Sequence, residues 1–139
     1  MEELTLAIIK PDSVQRNLIG KIISCYEEHK LQVVAMKLKH LSRNEAEGFY
    51  AEHKARPFFP ELVEFISSSP VVLIALKGVG AVVRNREIMG ATDPSKAADG
   101  TIRKLYARSL GENSVHGSDS LQSAQRELNY FFSSTEIYN

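Results

Sequence analysis

Apolar positions along the chain fall into short runs with two periods. The run LTLAIIK, Leu4–Lys10, is branched and apolar and ends at Pro11, so it predicts a buried strand. Between residues 17 and 30, Leu18, Ile22, Cys25 and Tyr26 recur near helical spacing and predict a helix with Cys25 as a small buried residue. Partial alternation in LQVVAMKLKHL, residues 31–41, predicts a second strand. Ser42 and Glu45 have the spacing of a capping box, opening a helix through EAEGFYAEH. RPFF breaks that helix, and Pro60, at an N1-like position, starts another through Ile66. PVVLIALKG, residues 70–78, is the clearest strand, and Ala81–Met89 reads as a helix stopped by Gly90. A loop from Ala91 to Gly100 leads to a short helical stretch in TIRKLYARSL and a brief strand at Ser114–His116. The closing segment SLQSAQRELNYFF predicts a helix, apolar at Leu121, Ala124, Leu128 and Phe131 or Phe132.

In order these elements give an α+β chain. The skeleton is a ferredoxin-like βαββαβ antiparallel sheet with a helical hairpin added after the second strand. No internal repeat, low-complexity tract or linker interrupts it, so residues 1–139 are expected to form one domain. Lys plus Arg equals Asp plus Glu at 17 each, which leaves no global field to draw the chain to nucleic acid or to a membrane. No basic-then-apolar signal stretch and no run near ~20 apolar residues is present, so a cytoplasmic location is expected. A single cysteine excludes an intrachain disulfide and a cysteine-based metal cluster.

Candidate chemistry centres on NSVHGSDS, residues 113–120. His116 is followed by Gly117, which permits close approach of backbone or ligand, and then by Ser118 and Asp119 where a helix begins. A strand-end histidine before an ordinary N-cap is the alternative reading of that stretch alone. His29 and His53 lie near predicted helix ends, where a solvated histidine is common, and His40 ends a strand with no obvious partner. Lys10, Arg56, Arg86 and Arg103 all stand at element ends rather than along helix faces. Together with an imidazole they make the inventory of a phosphate site, since guanidinium forks match phosphate oxygens.

Other chemistries fit less well. No G-x-x-x-x-G-K-[ST] loop and no G-x-S-x-G elbow occurs, and no His and carboxylate cluster has metal-ligand spacing. Val115 rather than Arg precedes the His-Gly pair, against an Arg-His-Gly phosphatase. The residues alone therefore support histidine-dependent phosphoryl transfer or a phosphate-binding domain. A neutral imidazole can split one transfer into two easier ones, with nearby cations spreading transition-state charge.

IIKPD, YAEHKARPFF, MGATDP, GTIR and NSVHGSDS occur in that order, and in them the chain resembles the nucleoside diphosphate kinase family from Leu4 to about Phe132. The resemblance implies transfer of the γ-phosphoryl of ATP to nucleoside diphosphates by a ping-pong route through phosphohistidine. It implies Mg²⁺ carried mainly by the nucleotide phosphates, with no metal ligands from the protein. His116 would be the nucleophile. Lys10 would hold phosphate near the sugar's 3′-hydroxyl, and Tyr50 would help to place His116. Arg56, Arg86 and Thr92 would hold the phosphates, and Arg103 would steady the transferring group. Asn113 would bond the sugar. Phe58 would stack on the base, a contact open to every base, and Leu62 would belong to the same nucleotide site. Ser118 and Glu127 would brace the site, one of them fixing the ring through its second nitrogen.

The loop Ala91–Asn113 matches the family's subunit-contact loop, and the resemblance implies a homo-oligomer built from dimers, tetramer or hexamer. The short tail after Phe132 favours the tetramer. The chain departs from the family pattern at Asp93, where Asn is usual, and at Lys104 and Leu105, where Gly or Ala and then Asp are usual. These departures bear on loop rigidity and assembly. Two rivals stand beside the enzyme: a non-catalytic nucleotide-binding module, which predicts a missing histidine or arginine, and a nucleic-acid binder, which predicts a basic stripe. Neither sign is present.

Overall fold

The computed structural model describes residues 2–139. Four strands, β1 (Glu2–Ile9), β2 (Gln32–Lys39), β3 (Val71–Val79) and β4 (Val115–Gly117), form one sheet in the order β2-β3-β1-β4. Each pairs antiparallel with its neighbours. Helices α1 (Pro11–Gln15), α2 (Ile19–Glu28), α3 (Arg43–Phe49), α4 (Phe59–Ile66), α5 (Ala81–Met89), α6 (Ile102–Tyr106) and α7 (Leu121–Phe131) complete it. The order is the expected βαββαβ skeleton, with α3 and α4 as the added hairpin.

The near-continuous apolar runs of β1 and β3 have a physical reason. Successive side chains of a strand point to opposite faces, and here both faces are covered. Leu6 and Ile8 of β1 join Leu73 and Ala75 of β3 in a core with α3, α4 and α7. Ala7 and Ile9 join Val72, Ile74 and Leu76 in a second core with α2, α5 and α6. The hairpin and the closing helix thus cover the face that a bare βαββαβ sheet leaves open.

Most local signals hold. The Ser42–Glu45 capping box is present in both directions, and Pro60 lies in the first turn of α4. Four readings need correction. The segment after β1 turns at once into α1, because Pro11 fits a first helical turn as well as it ends a strand. Cys25 is half-buried rather than buried, since α2 packs through Ile22 and Tyr26. His40 does have a partner: its Nε2 lies 2.8 Å from the carbonyl of Ser67. Strand β4 spans Val115–Gly117, one residue beyond the expected Ser114–His116.

Candidate active site

Pairing fixes the direction of the imidazole. His116 lies opposite Ile8, and Gly117 opposite Ala7. The His116 side chain therefore shares the face of Ile8, toward α3 and α7, and its ring meets Phe49 edge-on at 5.1 Å between centroids. Gly117 faces the other way, against α5. A Cβ there would stand 2.4 Å from Asn85 Nδ2 and 2.5 Å from Met89 Sδ, so only glycine lets β4 approach that helix. Gly117→Ala should cost about 1–3 kcal/mol through overpacking, read as a lower Tm together with slower His116 chemistry. An unchanged Tm would contradict the close approach.

The ring is held from behind. His116 Nε2 lies 3.1 Å from Glu127 Oε1, and Ser118 Oγ donates to the same oxygen at 2.7 Å. Ser118 is itself tied to β1: its Oγ accepts from Leu6 N, and its N donates to Leu6 O. Glu127 is 6% exposed. Burial pushes its carboxyl up, but the bonds from His116 and Ser118 and the charge of Arg126 help to outweigh it, and the net direction is down. An ionised carboxylate only accepts, so Nε2 carries the proton and Nδ1 keeps its lone pair.

A cleft of about 190 Å³ opens before the ring, with Tyr50, Arg86, Thr92 and Arg103 among its walls. It adjoins a wider groove of about 690 Å³ along α5 and residues 90–101. Tyr50, the C-cap of α3, stays protonated because burial, and then Glu127, push its hydroxyl up. Arg86 comes from the last turn of α5.

Arg103 is buried, and its guanidinium binds three carbonyls: Nε to Asn113 at 3.3 Å, Nη1 to Gly90 at 3.0 Å and Nη2 to Val115 at 2.9 Å. Of five N–H groups two remain for a ligand. Burial lowers it to about 10, so it stays cationic near neutrality. Lys10, the N-cap of α1, donates from Nζ to Asn113 Oδ1 at 2.9 Å, and Asn113 Nδ2 donates to Thr92 O at 3.4 Å. Burial, and then the charge of Arg103, lower Lys10 to about 8.

The structure thus brings His116, Glu127, Ser118, Tyr50, Arg86, Thr92, Arg103, Lys10 and Asn113 into one network or cleft. Arg56, Phe58 and Leu62 do not line the cleft beside His116. Arg56 and Phe58 stand exposed on the turn before α4, and Leu62 packs half-buried against the core. His53 lies between, 6.4 Å from Tyr50 and 5.9 Å from Phe58 between ring centroids.

Sequence reasoning passed over several residues. Asp12 accepts from Ser114 N at 3.1 Å and holds that residue at φ +73°, a conformation rare outside glycine. Asp12 sits inside IIKPD, but nothing local marks a contact 102 residues away. Arg126, Glu52 and Asp119 also line the cleft. The departures from the family pattern are quiet: Asp93 caps the turn at 94–96 by accepting from Ser95 N and Oγ, while Lys104 and Leu105 are exposed on α6.

The chain is similar to known proteins over nearly its whole length. A sequence model described as nucleoside diphosphate kinase matches residues 3–137. The chain is 59% identical over 137 residues to a nucleoside diphosphate kinase of Myxococcus xanthus, covering 99% of this chain and 94% of that protein. It is 60% identical over 137 residues to one of Chlamydia felis, covering 99% and 97%. Among solved structures, the Aquifex aeolicus nucleoside diphosphate kinase superposes with a TM-score of 0.96 at 42% identity, covering 99% of both chains. The halophilic enzyme of Halobacterium salinarum, in complex with CDP, gives 0.96 at 41%, covering 100% of this chain and 93% of that one.

Proposed function

From the premise that the chain belongs to the nucleoside diphosphate kinase family, we propose the roles of its residues in that activity. The protein is a nucleoside diphosphate kinase, a phosphotransferase that binds nucleotides and works by the family's ping-pong route through phosphohistidine. We assign the phosphohistidine to His116, and specifically to Nδ1. The observation that carries the assignment is the Nε2 contact with ionised Glu127, which leaves Nδ1 as the ring's free lone pair. In the first half-reaction that lone pair bonds to the γ-phosphorus of ATP. The bond from phosphorus to the β,γ-bridging oxygen breaks, and its electrons leave with ADP. In the second half-reaction a terminal oxygen of the acceptor diphosphate takes the phosphoryl group and Nδ1 recovers its lone pair.

Arg86, Thr92, Arg103 and Tyr50 face the space where those phosphates would lie, and the two free N–H groups of Arg103 suit the transferring group. Lys10 and Asn113, joined to each other and to Thr92, would take the sugar and phosphate end. Phe58 and Leu62 would form the outer, base-binding side, and Arg56 would hold the phosphates from there. Ser118 and Glu127 position His116. A test is to incubate protein with γ-labelled ATP and a divalent cation, then add GDP. Acid-labile label chased into GTP supports the route, and transfer with no labelled enzyme would overturn it.

Kinases of this family require a divalent cation. We take it to be Mg²⁺, supplying charge neutralisation on the phosphate oxygens. Arg86, Arg103 and Arg126 share the cleft with Glu52, Asp119 and Glu127, and the ion is taken to arrive on the nucleotide phosphates. Residues 1–139 are proposed as one catalytic domain. Assembly from dimers is supported by apolar side chains left exposed, Leu105 and Leu110 in the 91–113 segment and Met36 and Leu38 on edge strand β2. The demand for cellular nucleotides is the ground for a cytoplasmic location; no described helix is long and apolar enough to cross a membrane.

Lys10 gives this reading a pH signature. With its amine at about 8, raising the pH above that value removes the cation, and a phosphate ligand must then restore the proton to regain it. The Kd for ADP should rise above pH 8, approaching roughly tenfold per unit, and Lys10→Gln should flatten that limb. A wild-type Kd constant from pH 7 to 9.5 would contradict a role for Lys10 in phosphate binding.

A further inference from the structure

We infer that Arg126, anchored by Glu52, is a positioning residue that holds the His116 ring in its reactive tautomer through Glu127. The inference rests on the assignment of His116 as nucleophile and deepens it.

Glu127 divides its two oxygens. Oε1 is used by His116 Nε2 and Ser118 Oγ. Oε2 faces Arg126, whose Nη2 stands 3.6 Å away. The division matters because the carboxyl is buried, and burial favours its protonated form. A protonated Glu127 could donate to Nε2, driving the ring proton to Nδ1 and removing the lone pair that attacks phosphorus. Such a proton would sit on Oε1, and because the two oxygens share the carboxylate charge, the permanent cation that Arg126 places against Oε2 disfavours it there. Ser118 cannot do this, since its hydroxyl is neutral and already shares Oε1.

Glu52 completes the arrangement. It lies in the turn after α3, on the hairpin side, and its Oε1 is 3.4 Å from Arg126 Nε. Both side chains are partly exposed, 63% for Glu52 and 37% for Arg126, so the pair adds little to folding stability. Its effect is directional: Glu52 faces the buried Nε at ion-pair distance, without a hydrogen bond, while Nη2 stands on Glu127. All four residues line the same cleft. Arg126 could instead be read as one more phosphate cation. Two carboxylates already flank it, however, and offset its charge.

The test compares full-length wild type, Arg126→Gln, Arg126→Lys and Glu52→Gln. Three readouts are taken: the rate of His116 phosphorylation from ATP, the Kd for ADP, and the ¹⁵N shifts of the His116 ring. Arg126→Gln should slow phosphorylation about tenfold, the scale of losing a partner one step removed from a reacting group. It should leave the Kd for ADP within about twofold and move ring signal from the Nε2–H toward the Nδ1–H tautomer. Arg126→Lys should restore most of the rate, and Glu52→Gln should show a smaller loss of the same kind. Wild-type rate and tautomer in Arg126→Gln would overturn the inference. So would a loss in which Kd weakens in proportion to rate, or one that lysine does not rescue and that follows a fall in Tm. If wild-type enzyme carried its label elsewhere than on His116, the nucleophile assignment would fail instead, whatever the arginine variants did.

Discussion

His116→Ala is expected to abolish acid-labile phosphorylation of the enzyme and to lower kcat by on the order of 10⁴ or more, as deleting a covalent nucleophile does. Nucleotide binding should persist, with the Kd for ADP within about threefold, because the side chains assigned to the phosphates and base lie elsewhere: Lys10, Arg86, Arg103 and Phe58. The fold should also persist. Strand β4 pairs with β1 through backbone atoms, and Glu127 keeps Ser118 and Arg126 after the imidazole is gone. The side chain does lose its edge contact with Phe49, so a small fall in Tm is expected. A variant retaining most of its transfer activity would mean that another group accepts the phosphoryl.

Arg103→Ala should have the second largest effect, and a compound one. Removing a preorganised cation from developing phosphoryl charge commonly costs ~10²-fold or more in rate. Arg103 is also a fastener. Its three bonds join the chain before the 91–101 segment, at Gly90, to the chain entering β4, at Asn113 and Val115. Their loss leaves the carbonyls of Gly90 and Val115 without this donor, at about 1–3 kcal/mol for each group left buried and unpaired, while Asn113 O keeps its bond from Val115 N. Rate and Tm should therefore fall together in Arg103→Ala. Arg103→Lys separates the contributions, since it keeps the charge but cannot reproduce a fork that spans three carbonyls. It should recover part of the rate while the Tm stays low. Full recovery of both by lysine would contradict the fastening role, and a rate unaffected in either variant would contradict the charge role.

The fold was largely legible because its signals are local. Ser42 with Glu45, Pro60 and Gly90 mark helix ends from a few residues of sequence, and the runs of β1 and β3 are apolar because both faces of those strands are buried. The limits have equally physical causes. Pro11 ends a strand and starts a helix with the same ring, so α1 was hidden. Cys25 has helical spacing like its neighbours, but the breadth of the buried stripe depends on which elements pack against α2. Within the site, the glycine-relieved turn and the cations at element ends were visible, and the family motifs supplied the roles. What could not be read locally were contacts closed by the fold: Asp12 holding Ser114, Arg103 spending three donors on carbonyls, and Arg126 behind Glu127. Each joins segments that are distant in sequence or, for Arg126 and Glu127, side chains adjacent in sequence whose geometry depends on a third element.

The most direct measurement locates the phosphoryl group on the ring. Enzyme phosphorylated with ATP, unfolded at alkaline pH to preserve the adduct, would be examined by ³¹P and ¹H–¹⁵N correlation for the nitrogen bonded to phosphorus. The contact of His116 Nε2 with Glu127 predicts phosphorus on Nδ1 of His116 alone. Phosphorus on Nε2, or on any residue other than His116, would contradict the account.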